Sequence, residues 1–324
     1  MSPIAPLLVA DVGGTNARFA LVEDGEIGRA ASLRTRAFPG LAEAAEAYLS
    51  EHAAGRRPRA ACLAVAGPVG GGTFRLTNAG WGTLRTEDVR RRLGLDRLDI
   101  LNDFEALALA LPELDGDDLV PIGGTAVPSG DGTRAVLGPG TGLGVAGLVR
   151  AGGGWLPLPT EGGQVDVAVR TDREVEVMRL LRAELGTATA ENLLSGAGLT
   201  RIHRMLGLLD GTPAPPLEPG DICARADDPL CAETLAVFCA LLGAHAGNVA
   251  MTLGARGGVY LGGGILPRIT GVLQDSEFRA RFEERPPIEE YMRAIPTALI
   301  VHPGPALVGA AARLAQSPTD LETV

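Results

Sequence analysis

The chain has 324 residues, a formal net charge of −10 and a hydrophobic content of 46%, with 45 glycines and few aromatic residues. This length allows about two domains that each bury their own core, and the composition is typical of a loop-rich α/β protein. The acidic balance argues against a nucleic acid or an anionic membrane as the main partner, although a local basic pocket could still bind an anion.

The N-terminal segment has no basic region and passes directly into an apolar run, which does not fit a signal peptide. No apolar run approaches the ~20 residues that a membrane helix needs. The four cysteines form no CxxC pair and have no histidine cluster nearby, so we expect neither disulfides nor structural zinc. Of these, Cys231 and Cys239 fall on a predicted helix as packing residues. These features predict a soluble cytoplasmic protein.

Two short apolar strands, residues 7–10 and 19–22, flank the turn Gly13-Gly14-Thr15-Asn16. A Gly-Gly turn between two strands predicts a hairpin whose glycines tolerate positive φ. Its N–H groups can approach a phosphate, and the side chains of Thr15 and Asn16 can donate to it. Asp11, at the mouth of the turn, is placed to hold Mg²⁺ through water. An ordinary hairpin is the alternative interpretation.

The spacing of apolar residues then predicts helices over 41–52, 88–93 and 106–111, and strands over 60–66 and 98–101. Between them, Asn78 belongs to the run Thr77-Asn78-Ala79-Gly80-Trp81. The indole of Trp81 could form the apolar wall of a ligand site or simply belong to the core.

Asn102 and Asp103 stand where a predicted strand meets a predicted helix. Asn102 is a plausible N-cap with Glu105 three residues later, and Asp103 suits the positive end of the helix dipole. The functional interpretation uses the same geometry, since a carboxylate at this place can accept a proton from a substrate hydroxyl. Both interpretations remain open on these residues alone.

Residues 114–133 form a polar connection rich in glycine and proline, where a change of domain is expected. A second copy of the first pattern follows it over residues 136–149, with Gly140-Thr141-Gly142 in place of the first turn. Neither copy fits a P-loop or the dinucleotide-binding pattern. The repeat predicts two half-structures that hold a nucleotide between two domains.

The second half continues with a turn over 152–159 and a Gly-rich loop that contains Glu161 and Gln164. Glu191 lies in the first turn of a helix capped by Thr189, where the dipole alone could explain it. Gly262-Gly263-Gly264 could expose bare backbone to an adenine, or form a tight turn. The other predicted elements are helices 173–185, 187–194, 199–206 and 307–315, a buried helix 230–253, and strands 259–261 and 299–302.

Taken together, these segments resemble the bacterial glucokinase family of the actin/hexokinase/heat-shock-chaperone superfamily. The resemblance runs nearly end to end and is carried by DVGGTNARFAL, TNAGW, LNDFEALALALP, GPGTGLGVA, TEGGQVD, AENLLSGAGL, GGVYLGGGILPRI and IVHPGPALVGAA. It implies an α/β fold of two ribonuclease-H-like (actin-like ATPase) domains around a central cleft. The expected boundaries are 1–113 with 304–324 for the small domain and 114–303 for the large one.

The resemblance also implies ATP and Mg²⁺ as cofactors and glucose as the substrate, phosphorylated at its 6-hydroxyl, with Asp103 as the general base. The implied phosphate and adenosine contacts are Asp11, Gly13, Gly14, Thr15, Asn16, Gly140, Thr141, Gly142, Gly262, Gly263 and Gly264. The implied sugar contacts are Asn78, Asn102, Asp103, Glu161, Gln164 and Glu191. Position 164 departs from the family, which usually has His there, and this puts the hexose preference in question.

Two alternatives remain at this stage. The first is a kinase for another hexose, because the sugar-binding acids are shared widely. The second is a non-catalytic sugar-sensing regulator, which should carry an N-terminal helix-turn-helix before the first strand. The related repressor and kinase family usually has a zinc-binding cysteine cluster that this chain lacks. Members of the glucokinase family are often dimeric, so a homodimer is possible.

Overall fold

The computed structural model describes residues 5–77, 79–124, 130, 132–212 and 214–316. Within it the chain forms two compact units. Unit 1 comprises Met1–Leu114, Arg150–Pro159 and His302–Val324, and unit 2 comprises Asp115–Val149 and Thr160–Val301.

The strands are β1 Leu7–Val12, β2 Asn16–Glu23, β3 Glu26–Ile27, β4 Ala31–Arg34, β5 Ala60–Val65, β6 Val69–Gly70, β7 Thr73–Arg75, β8 Thr83–Arg85, β9 Arg97–Asn102, β10 Leu119–Pro121, β11 Arg134–Pro139, β12 Leu143–Ala151, β13 Gly154–Pro159, β14 Val259–Leu261 and β15 Thr297–Ile300. The α-helices are α1 Leu41–His52, α2 Thr86–Leu93, α3 Asp103–Ala110, α4 Asp172–Leu185, α5 Ala190–Leu193, α6 Gly196–Leu209, α7 Pro219–Ala224, α8 Pro229–Leu253, α9 Thr270–Asp275, α10 Phe278–Glu283, α11 Glu289–Arg293 and α12 Pro305–Ala315.

The main sheet of unit 1 has the order β3-β2-β1-β5-β9, and β4 also pairs with β2. β1 is antiparallel to β2 and parallel to β5, which is parallel to β9. Leu8, Val9 and Ala10 on β1 are fully buried, which explains the unbroken apolar run there. Because parallel strands end at one edge, Asp11 and Asn102 are brought to the same edge of this sheet.

Helix α12 packs along α3, β1 and β5, so the described part of the C-terminal segment belongs to unit 1. The closest approach is at Gly309, where a Cβ atom would overlap the backbone carbonyl of Ala106 on α3. A glycine is therefore required at this helix crossing. The contact holds α3, whose first residue is Asp103.

We expect Gly309→Ala to lower the free energy of unfolding by roughly 1–3 kcal/mol, because the added methyl group forces α12 away from α3. The matched control is Gly271→Ala in α9, where a Cβ would meet no atom within 4 Å. That change should be neutral or stabilise by up to ~1 kcal/mol. Thermal unfolding of both variants checks this, and equal melting temperatures would contradict the crossing geometry.

The sheet of unit 2 contains the order β10-β15-β14-β11-β12. β11 is antiparallel to β12 and parallel to β14, which is parallel to β15. This repeats the arrangement of β1, β2, β5 and β9 in unit 1. The two copies of the glycine pattern therefore begin two sheets of the same local topology, and both glycine turns join an antiparallel hairpin.

Helix α8 runs through the core of unit 2, where Cys231 and Cys239 are buried as packing residues. It corrects the expectation that no segment is long and apolar enough for a membrane. Among the described residues it alone meets that test, with 25 residues and a mean hydropathy of 1.6, because alanines and glycines interrupt its leucines without lowering hydropathy much. Its most apolar window is 78% buried, as in the core helix of a soluble protein.

Several predicted elements need correction. Residues 152–159 contain a strand, β13, rather than only a turn, and the connection 114–133 contains the edge strand β10. Strand β15 spans Thr297–Ile300 rather than 299–302, and the Val301 N–H donates to the Asp118 carbonyl just before β10. Helix α6 begins at Gly196, since Ser195 caps it, and the short helices α7 and α9–α11 were not predicted.

Candidate functional site

In unit 1, Asn102 and Asp103 lie where β9 ends and α3 begins. The Asn102 side chain accepts from the N–H of Phe104 at 2.9 Å, and the Glu105 carboxylate accepts from the N–H of Asn102 at 2.9 Å, forming a complete capping box. The Asn102 amide also donates to the Gly67 carbonyl at 3.2 Å, just beyond β5. These bonds hold the backbone of Asp103 in place and leave its side chain partly exposed.

Burial and, to a smaller extent, the negative charge of Asp11 together raise the pKa of Asp103 to about 6, against the lowering effect of hydrogen bonds. Burial also raises the pKa of Asp11, which Arg18 lowers in part from 3.8 Å away. A carboxylate with a pKa close to neutrality is suited to general base catalysis. The cap and the raised pKa coexist, so the two interpretations of Asp103 are compatible.

The first glycine turn is a three-residue loop, Gly13-Gly14-Thr15, between β1 and β2. The Gly13 N–H donates to the Asn16 carbonyl at 2.9 Å, and Thr15 and Asn16 are exposed. The predicted hairpin is present, but neither Gly13 nor Gly14 is among the described glycines with positive φ, so the turn does not use the positive φ that they tolerate. A three-residue loop closes this hairpin without it, and the glycines serve by lacking side chains.

Thr35 fixes this loop and was missed by the sequence reasoning. Its hydroxyl donates to the Gly13 carbonyl at 2.8 Å, and its N–H donates to the Thr15 carbonyl at 3.0 Å. The side chain is fully buried. A single threonine after an edge strand carries no pattern, so no local signal could have identified it.

Trp81 packs against the core of unit 1, and its indole N–H donates to the Phe38 carbonyl at 2.8 Å. It also lines a shallow cavity of about 410 Å³ with Arg36 and Phe38. Trp81 therefore packs against the core, and its role as the wall of a ligand site stays a prediction. Asn78, the proposed sugar contact beside it, lies outside the described residues.

In unit 2, the structure brings Glu191, Gln164 and the second glycine turn together. The Glu191 carboxylate accepts from the N–H of Leu143 at 2.9 Å and from the side-chain amide of Gln164 at 2.9 Å. A Cβ on Gly142 would overlap the same carboxylate. Glu191 therefore does more than stabilise a helix dipole, because it links α5 to two loops.

Glu161 is exposed and precedes a 3-10 turn over Gly162–Gln164. The Thr160 hydroxyl donates to the Val145 carbonyl at 2.7 Å and accepts from the N–H of Gly162 at 3.2 Å. This turn gives the Gly-rich loop a defined shape, although it is too short for a regular helix. Glu161 and Gln164 are therefore held at fixed places on one turn.

The two other glycine clusters lie at the carboxyl ends of neighbouring parallel strands. Gly140-Thr141-Gly142 follows β11, and Gly262-Gly263-Gly264 follows β14. Gly263 has a φ of +85°, and a Cβ there would overlap the Pro139 carbonyl. The N–H of Gly196, at the start of α6, donates to the Gly140 carbonyl at 2.9 Å. Gly264 has open space where a side chain would be.

Comparison with known proteins gives a consistent result. Residues 8–317 match the family model described as Glucokinase. The chain is 46% identical over 321 residues to the glucokinase of Saccharophagus degradans, covering 96% of this chain and 98% of that protein.

Solved structures agree with that match. The crystal structure of glucokinase from an Antarctic psychrotroph is 35% identical, with a TM-score of 0.88, covering 97% of this chain and all of that one. A ROK family glucokinase from Streptomyces griseus, solved with glucose and AMPPNP, shares the fold at a TM-score of 0.64 and 21% identity, covering 95% of this chain and 98% of that chain. The chain belongs to the glucokinase family.

Proposed function

We infer that this protein is a glucokinase, which transfers the γ-phosphoryl group of ATP to the 6-hydroxyl of glucose. The main observation in support is that the Asp103 carboxylate is held at the start of a helix and has a pKa raised to about 6. In phosphoryl transfer the protein mainly positions the reactants and stabilises charge, so one well-placed base is sufficient on the acceptor side. Family membership supplies the substrate class.

In the proposed mechanism the Asp103 carboxylate accepts the proton of the 6-hydroxyl as that oxygen attacks the γ-phosphorus, and the bond from the γ-phosphorus to the bridging oxygen of ADP breaks. Asn102 hydrogen-bonds the sugar and, through its bonds to Phe104 and Gly67, keeps Asp103 aimed at the same oxygen. The ionised form of Asp103 is the active one. Its raised pKa makes it a stronger base than an ordinary aspartate while it stays ionised at neutral pH.

On the side of unit 2, we propose that Glu161, Gln164 and Glu191 accept and donate hydrogen bonds to the other sugar hydroxyls. Their positions are supported by the Glu191–Gln164 hydrogen bond of 2.9 Å and by the turn that holds Glu161. Asp103 belongs to unit 1, and Glu161, Gln164 and Glu191 belong to unit 2. Asn78 is proposed as a further sugar contact on the resemblance alone.

The glycine turns are the proposed contacts of ATP: Asp11, Gly13, Gly14, Thr15 and Asn16 in unit 1, and Gly140, Thr141, Gly142, Gly262, Gly263 and Gly264 in unit 2. Their support is the exposed Thr15 and Asn16 and the open space at Gly140 and Gly264. Loops of this kind present N–H groups to phosphate oxygens.

Asp11 is the proposed Mg²⁺ ligand, acting through water. The residues fit this ion, because Mg²⁺ is usually bound by one or two carboxylates together with substrate phosphates and waters. Asp11 is a partly exposed carboxylate whose nearest cation is 3.8 Å away, and in the described part of the chain no cluster of three metal-binding side chains exists. Bound Mg²⁺ would neutralise phosphate charge.

We further propose the finer assignments that the resemblance implies. These are the actin-like superfamily, two ribonuclease-H-like domains with boundaries near 1–113 plus 304–324 and 114–303, a cytoplasmic location and a homodimer. The repeated strand order in both sheets supports the first two. The two contact-defined units support similar boundaries, with 150–159 assigned to the first. Analytical ultracentrifugation would test the dimer.

The function is tested by initial rates of ADP formation with MgATP and glucose, fructose, mannose or N-acetylglucosamine. A glucokinase should have its highest kcat/KM with glucose. A higher kcat/KM with another hexose would make the protein a kinase for that sugar. Glucose binding without turnover would indicate a sensor.

The rate should also depend on pH. Because Asp103 acts ionised and its pKa is about 6, kcat/KM for glucose should fall about tenfold per pH unit below 6 and level off above 7. The profile is measured between pH 4.5 and 8.5 with saturating MgATP. An acid limb near pH 4 would show that Asp103 is not the titrating base.

Gln164→His should give glucose binding a pH dependence that the wild-type residue cannot have, because Gln does not titrate. A histidine beside Glu191 is favoured in its charged form, and a charged donor stabilises a hydrogen bond by roughly 1 kcal/mol more than a neutral one. The glucose KM of the variant should therefore be about fivefold lower at pH 6 than at pH 8, relative to wild type. A constant ratio of the two KM values would contradict a sugar contact at position 164.

A further inference from the structure

A second cavity lies in unit 2, beside the turn that carries Glu161. Its volume is about 370 Å³, and its walls come from β12, the Thr160–Val165 segment and the last turns of α8. Most of the lining is apolar, including Val145, Val165 and Val249. Glu161 is the one proposed sugar contact among the lining residues, whereas Gln164, Glu191 and the glycine turns are not, so the cavity adjoins the half-site described above.

The unusual wall residue is His245 on α8. Its side chain is fully buried, and neither ring nitrogen makes a hydrogen bond of normal geometry. Burial lowers its pKa to about 4, although a backbone group of Gly162 opposes this. At neutral pH the ring is therefore uncharged, with one donor and one acceptor. Buried polar groups in proteins almost always have a partner, so this ring is prepared to receive one.

We propose that this cavity binds a small neutral molecule with an apolar body and one polar group, which hydrogen-bonds His245. The volume falls within the usual range of ligand pockets, which are mostly apolar with a few polar groups that fix orientation. An anionic ligand is disfavoured, because the Glu161 carboxylate lines the cavity and the apolar part of the wall does not repay the loss of hydration.

A ligand bound in the cavity should change the binding of glucose, and this second half of the proposal rests on the proposed function. Val145 lines the cavity and packs directly on the sugar turn, since a Cβ on Gly162 would lie 2.9 Å from the Val145 Cβ. The Thr160 hydroxyl also binds the Val145 carbonyl at 2.7 Å. A ligand that displaces Val145 therefore moves Glu161, and the glucose KM should change while kcat is kept.

The binding test uses calorimetric titration of the full chain with indole and with indene, which has nearly the same shape but no N–H. Wild type should bind one indole per chain and prefer it to indene about fivefold, the ratio that one net hydrogen bond of about 1 kcal/mol corresponds to. His245→Leu should bind both equally. Thr252→Trp, which places a large ring on an exposed lining residue, should bind neither, whereas Val175→Trp on exposed α4 is the matched control.

Absence of indole binding up to its solubility limit, or equal affinity in all four proteins, would overturn the site. Glucose KM is then measured with and without saturating indole. An unchanged KM with binding intact would overturn the link to the sugar turn. Calorimetry needs no turnover. The binding test of the cavity is therefore valid even if the protein has no glucokinase activity.

Discussion

Replacing Asp103 by Asn should lower kcat by ~10²–10⁴-fold while glucose still binds, because loss of a positioned base costs a rate of this order. The asparagine oxygen can keep the 3.1 Å hydrogen bond from the Phe104 N–H, so the start of α3 is preserved. Steady-state kinetics give kcat, and calorimetric titration gives the glucose dissociation constant. Asp96→Asn, at an exposed ion pair with Arg59, is the control and should have wild-type kinetics.

The same variant should be at least as stable as wild type at pH 7.5. A carboxyl whose pKa is raised in the folded state binds its proton more tightly there, so stability falls as the pH rises from about 4 through about 6. Asn does not ionise and so avoids this loss of stability at pH 7.5. The difference in melting temperature between the variant and wild type should therefore be smaller at pH 5. Turnover within about tenfold of wild type would remove Asp103 from the role of base. A large fall in melting temperature would instead attribute the loss to folding.

Both hairpins, the cap at Asn102 and the closing helix could be predicted because each depends on residues close in sequence. Helix α1 has the predicted bounds, and the Asn102–Glu105 spacing gives a full capping box. The parallel order of β1, β5 and β9, which places Asp11 and Asn102 at one edge, was not among the predictions and is seen only in the structure. The cap therefore follows from the local pattern, whereas its position beside Asp11 does not.

The links between segments could not be predicted in this way. Glu191 bonds the Leu143 N–H, 48 positions away in sequence, and Thr35 bonds the Gly13 carbonyl, 22 positions away. Each depends on how distant elements pack, and neither residue type at its position carries a local signal. The strand β13 was missed for a similar reason, since its glycine and prolines indicate a turn unless packing against α3 is known.

The two units share a strand order, but the carboxylates near the ends of their strands have different surroundings. In unit 1, Asp11 and Asp103 lie close enough for one negative charge to raise the pKa of the other, which prepares a base. In unit 2, the Glu191 carboxylate accepts two hydrogen bonds and organises loops. The same strand order therefore carries a carboxylate with a raised pKa in unit 1 and a hydrogen-bonded carboxylate that links loops in unit 2.

A different carboxylate, Glu174 at the start of α4, should be the most sensitive point for stability. Arg281 on α10 donates to both of its oxygens, at 2.6 and 2.9 Å, and both side chains are almost fully buried. Arg281→Met removes one partner and leaves a buried charge, which typically destabilises by about 3–5 kcal/mol. Arg179→Met, at an exposed pair with Glu176, is the matched control and should cost about 1 kcal/mol or less.

The pH dependence of the stability lost in Arg281→Met distinguishes the loss of the ion pair from the loss of packing. In wild type, burial tends to raise the pKa of Glu174, but the hydrogen bonds from Arg281 and the Arg170 N–H outweigh it and the net pKa is lowered. The pair therefore stabilises the protein above the unfolded pKa of glutamate, and this contribution is lost as the pH falls through the lower folded value. Without Arg281, burial dominates, the pKa rises, and Glu174 takes up a proton on mild acidification. Urea unfolding should thus show a deficit for Arg281→Met that is largest near pH 7.5 and smaller at pH 5, whereas a deficit that is constant across this range would mean that only packing was lost.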